Sequence, residues 1–98
     1  MKKAVALIFD PIVDEKNFSE FEELIRSNYI SKRAKDFVFI LSVDENVKSK
    51  EIHEFILSKC SFRPSLLICR MENFYGNFSD KEFVEWFKVH FSHMDLIE

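Results

Sequence analysis

Asp36-Phe37-Val38-Phe39-Ile40-Leu41-Ser42 is the stretch on which the fold turns. It is rich in β-branched and aromatic residues, bounded by polar ones and too short for a helix, so it predicts a strand. Phe37, Phe39 and Leu41 fall on one side and Val38 and Ile40 on the other, so neither face is polar. A strand with one solvated face would alternate apolar with polar residues. This one asks for cover on both sides.

Two more segments carry the same signature. Residues 3–9 put Val5, Leu7 and Phe9 on one face and Ala4, Ala6 and Ile8 on the other, then stop at Asp10-Pro11, where proline supplies no N–H to a ladder. Residues 65–71 offer Leu67, Cys69 and Met71 against Leu66 and Ile68. Between the strands lie helical periods. Phe18, Phe21, Leu24 and Ile25 form one stripe, with Asn17 read as its cap and Asn28 as its stop, and residues 11–16 as loop. Ile52, Phe55, Ile56 and Cys60 form a second stripe, capped by Ser49. Phe83, Trp86, Phe87 and His90 or Phe91 form a third, behind the capping box Ser79-Asp80-Lys81-Glu82. A short edge strand at residues 29–31 with a turn near 33–35 completes the order, and residues 94–97 have the pattern of a short strand or a frayed tail.

The expectation is an α/β (α+β) sandwich: a single ferredoxin-like domain over residues 1–98, with a βαββαβ core and an additional C-terminal helix. The second face of the sheet must be closed by that extra helix or by a second copy of the chain. A sheet this apolar favours the copy, hence a homodimer.

Composition narrows the function without naming it. The chain has 98 residues, 47% hydrophobic and 32% charged, with a formal charge of −3. That excludes a generally basic nucleic-acid coat, though not a local basic patch. No apolar run reaches the ~20 residues of a membrane span. The run after Met1-Lys2-Lys3 is too short for a signal peptide, so a cytoplasmic protein is expected. Cys60 and Cys69 read as small reduced core residues. One glycine cannot build a phosphate-binding loop, and no nucleophile–base pattern is present.

Three features together resemble a known group: the aromatic-Asp end of the first strand (Phe9-Asp10), the central strand running through Val43-Asp44-Glu45-Asn46 into a helix, and a late strand passing through a Gly76 loop into the aromatic helix with Trp86 and Phe87. The chain resembles the SinR-family small proteins, which are similar to the CRISPR-associated Cas-two proteins and to virulence-associated protein D. The resemblance implies a ferredoxin-like fold and a homodimer. In the Cas-two and virulence-associated branches it also implies a metal-dependent nuclease whose carboxylate matches Asp10. Two such carboxylates near a dimer axis would hold Mg²⁺ or Mn²⁺ against a phosphodiester. Pro11 after the Asp, and the lack of an arginine cluster on the first helix, depart from that pattern. The plainer reading of Asp10 is an Asp-Pro turn former, and of Asp14 and Glu15 solvated loop charge.

Lys32, Arg33 and Lys35 form the one basic cluster, a candidate nucleic-acid contact or a charge-blunted hairpin edge. Phe74, Tyr75 and Phe78 are candidates for base stacking, and His90 with His93 has a spacing that imitates a metal site. Three classes of function remain: an interaction or assembly module, a metal-dependent endonuclease using Asp10, and an antitoxin or inhibitor whose acidic first helix (Glu20, Glu22, Glu23) meets a basic protein.

Overall fold

The computed structural model describes residues 2–72 and 79–91. In chain order the elements are β1 (Lys2–Phe9), α1 (Glu15–Asn28), β2 (Ile30–Lys35), β3 (Val38–Asp44), α2 (Ser49–Lys59), β4 (Leu66–Arg70) and α3 (Lys81–His90). The four strands form one sheet in the order β2-β3-β1-β4, with every neighbouring pair antiparallel. This is a ferredoxin-like βαββαβ core followed by a C-terminal helix. The aromatic loop at 74–78, His93 and the tail at 94–97 lie outside the described residues.

β1 and β3, two of the three strands with two-sided apolar patterns, take the centre of the sheet, and the third, β4, lies at an edge. β1 sits between β3 and β4, and Val5, Leu7 and Phe9 join Phe39, Leu41 and Val43 beneath α1 and α2. Phe9 stacks on Phe39 at 5.6 Å and tilts against Phe21 at 5.0 Å, centroid to centroid. Ile25, Ile52 and Ile56 close this first core.

The opposite face is where expectation and structure part. Ala4 and Ile40 are buried there by Phe83, Phe87 and Phe91, so α3 of the same chain, and not a second chain, covers the middle of that face. Phe87 and Phe91 meet at 4.9 Å and Phe83 and Phe87 at 5.7 Å, a row of rings laid along the small side chains of Ala4 and Ala6. Ser42 is buried on this face, and its hydroxyl has no partner among the described residues. Cover stops short of one corner. Leu67 and Ile8, directly opposed across β4 and β1, stay 59% and 41% exposed, and Ile8 in turn opposes Val38.

The helix starts differ from the sequence reading. Asp14 caps α1, accepting the Asn17 N–H at 3.0 Å, so the helix begins at Glu15 inside the expected loop. Asp80 caps α3, its Oδ1 accepting from Glu82 N at 2.9 Å and Phe83 N at 3.3 Å. Lys48 holds the cap position of α2, with its own N–H donated to the Glu51 carboxylate at 3.3 Å, and Ser49 is the first helical residue. In α1 and α3 an aspartate takes the cap position. Its carboxylate accepts first-turn N–H groups and suits the positive end of the dipole.

The β2–β3 hairpin also shifts. It turns at Asp36-Phe37, and Phe37 lies outside β3. None of the described residues has positive φ, so the left-handed pair that usually closes a two-residue hairpin is missing. The ladder instead shifts register between Arg33 and Lys35.

Candidate functional site

β1 leaves the sheet beside the start of β4. The Asp10 N–H donates to Ser65 O at 3.0 Å, which fixes the backbone of the candidate metal ligand at the sheet's end. The Asp10 side chain is exposed and accepts no hydrogen bond among the described residues, so it does not form the turn bond expected of an Asp-Pro step. The other loop acids bring it no company. Asp14 is committed to its cap and Glu15 begins the helix. Among the described residues no three His, Cys, Asp or Glu side chains converge as a metal site. Mg²⁺ needs little protein, one or two carboxylates with water and phosphate filling the rest. Among the described residues one chain would offer such an ion a single carboxylate at this end of the sheet, Asp10.

The basic cluster is divided by the pleat. Lys32 opposes Ile40 and shares the α3 face, whereas Arg33 opposes Phe39 and points to the α1 face. The Arg33 guanidinium lies 4.9 Å from the Phe18 ring and donates to Asp36 O at 2.8 Å, bracing the hairpin turn. Lys35 follows the register shift and is engaged within the chain. Alternation along a strand thus separates three residues that are neighbours in sequence.

The acidic face of α1 is likewise partly used. The Glu20 carboxylate accepts both the N–H (2.7 Å) and the hydroxyl of Ser61, tying α1 to the α2–β4 loop, and Glu23 accepts from the Ser27 hydroxyl at 2.9 Å. The Ser61 bonds, side chain first and then backbone, with nearby Lys16 assisting, hold the Glu20 carboxyl below its usual range. Burial, with Glu20 close by, pushes the Cys60 thiol up, away from the reactive thiolate. A carboxyl lowered by folding stabilises above its unfolded value and loses that contribution as pH falls through the folded one. The Ser61 amide should therefore titrate with a midpoint below the ordinary glutamate range, and Glu20→Gln should abolish that titration. An unshifted midpoint in an NMR pH series would contradict the tie.

A cleft of about 320 Å³ opens between α2 and the start of β4, lined by His53, Leu57, Arg63, Pro64, Ser65 and Leu66. His53 is half-buried on α2, one helical turn before Leu57. Buried Pro64 fixes the chain as it enters β4 and sets Arg63 at the mouth. Arg63 is exposed and has no ion-pair or hydrogen-bond partner among the described residues. Arg70, at the far end of β4, is spent on structure: its guanidinium donates to Glu45 O (2.7 Å) and Val47 O (2.6 Å), clamping the β3–α2 loop to β4. Arg63 is not legible as a site in the sequence, because a lone Arg-Pro carries no motif. The signal it did offer was a proline immediately before an apolar strand.

None of the described helices is long and apolar enough to cross a membrane. Compared with known proteins, the chain matches no family model, no curated protein and no solved structure.

Proposed function

We propose that the chain is a small interaction module that assembles as a homodimer, in keeping with its likeness to the SinR and Cas-two groups. The observation that carries this reading is the uncovered corner of the second face, where Leu67 and Ile8 stand opposed and exposed beyond the reach of α3. Large apolar side chains set side by side on a sheet are an association surface when a second copy buries them. Light scattering over a wide concentration range tests it: mass should rise from monomer toward dimer, and a constant monomer mass overturns the dimer.

A second reading, the metal-dependent nuclease, is favoured by one observation, the carboxylate of Asp10, exposed at the sheet's end and without a hydrogen bond among the described residues. On this reading Mg²⁺ or Mn²⁺ supports cleavage of RNA or DNA, and Asp10→Asn abolishes it with fold and mass unchanged. Removing a metal-holding carboxylate takes away Lewis-acid stabilisation worth on the order of several kcal/mol in the barrier. Cleavage that persists undiminished in Asp10→Asn discards the nuclease and leaves the module.

A further inference from the structure

The two edges of the sheet are built differently. β2 carries Lys32, Arg33 and Lys35 and a register shift, the usual defences of an edge against further pairing. β4 reads Leu66-Leu67-Ile68-Cys69-Arg70, with no charge before its last residue and a regular ladder to β1. Its register fixes which backbone groups are spent. Asp10 N–H donates to Ser65 O, and Met71 N–H donates to Ala4 O at 2.9 Å. Antiparallel pairing alternates, so Ser65, Leu67, Cys69 and Met71 bond to β1, and the N–H and C=O groups of Leu66, Ile68 and Arg70 face outward. Among the described residues no strand pairs with that edge.

The start of the same edge, at Leu66, borders the cleft. Leu66 and Leu57 supply its apolar surface, His53 stands on the helical wall, and Arg63 waits at the mouth with no counter-ion among the described residues. An edge with free amides beside a helix is the architecture in which an extended segment adds as a further strand. The charge at its end selects the segment, because a carboxylate there gives Arg63 the partner it lacks.

We propose that the outer edge of β4, with the cleft at its start, receives an extended peptide segment of a partner protein, paired antiparallel to β4, with an acidic residue at its C-terminal end against Arg63. The proposal rests on the reading of the chain as an interaction module, but not on self-association through Leu67 and Ile8.

The test is an NMR titration of the full isotope-labelled chain with acetyl-Thr-Val-Thr-Val-Asp-Asp-amide and with the same peptide ending in Lys-Lys. The acidic peptide should perturb the Leu66, Ile68 and Arg70 amides and the His53 ring saturably, and protect those three amides from hydrogen exchange. The lysine peptide should bind at least about tenfold more weakly, a difference of about 1.4 kcal/mol. Arg63→Ala, at an exposed side chain without partners, should erase the difference while leaving the free protein's spectrum otherwise intact. Absence of perturbation at millimolar peptide, or equal binding of the two peptides, overturns the proposal. So does protection of the three amides that rises with protein concentration alone, because the edge then belongs to a second copy. Peptide binding by a strictly monomeric protein would leave the groove standing while the dimer fell.

Discussion

Replacing Phe39 by alanine is expected to remove about 3–5 kcal/mol of stability, the range for an aromatic side chain deleted from a closed core. Phe39 lies in β3 at 2% exposure, stacked on Phe9 at 5.6 Å and tilted against Phe21 at 6.2 Å. Those neighbours are themselves pinned, Phe9 by the central strand and Phe21 by α1, so the cavity cannot collapse cheaply. Domains of this size hold roughly 5–15 kcal/mol in total, so this one substitution takes a large share. Phe37 is the control. It sits two residues away at 45% exposure, touching Phe9 edge-on at 6.2 Å, and its alanine variant should lose no more than about 1 kcal/mol. Urea unfolding of the two variants gives the comparison directly. Equal midpoints would mean that the first core is not centred on these rings.

Leu67→Lys should leave the chain folded and monomeric at every concentration at which the parent associates. Leu67 is mostly exposed, and the added ammonium can stay in water, so the fold loses little. In a two-fold dimer the substitution enters twice, which doubles its effect and sets like charges near one axis. The size of the corner limits what the dimer can be. Full burial of a leucine or isoleucine is worth about 1.5–3 kcal/mol, and both residues here are already partly covered. Two copies therefore bring a few kcal/mol each way against an association cost of at least ~4 kcal/mol. Self-association through this corner should accordingly be weak, with its midpoint at millimolar concentrations or higher. Sedimentation equilibrium of parent and variant checks this, and a variant that dimerises as well as the parent places the interface elsewhere. Had α3 been absent, the whole second face would have been available and a tight dimer expected.

The succession of strands and helices along the chain and the demand for two covered faces are written in local pattern. Val38 and Ile40 opposite Phe39 and Leu41, Ala4 and Ala6 opposite Val5 and Leu7, already require a sheet buried on both sides. Helix stripes such as Phe21 with Ile25, and Ile52 with Ile56, say as plainly which sides turn inward. Pattern names the buried face but not the body that buries it, because water is excluded equally well by a helix of the same chain or by a second copy. That choice fell to α3, through the fit of Phe83, Phe87 and Phe91 against Ala4, Ala6 and Ile40. The caps were misplaced for a related reason. Asn17, Ser49 and Ser79 have the right chemistry for a cap, but in the folded chain Asp14, Lys48 and Asp80 hold the cap positions, and at Asp14 and Asp80 the carboxylate accepts the first-turn N–H groups. The candidate sites depended on tertiary structure most of all. Lys32 and Arg33 are adjacent in sequence and opposite in space, whereas Glu20 and Ser61, or Asp10 and Ser65, meet only because β4 returns alongside β1. Sequence alone thus determined what must be hidden. The cleft at Arg63 and the exposed corner at Leu67 arise only when helices and sheet are packed together, and no local pattern announces them.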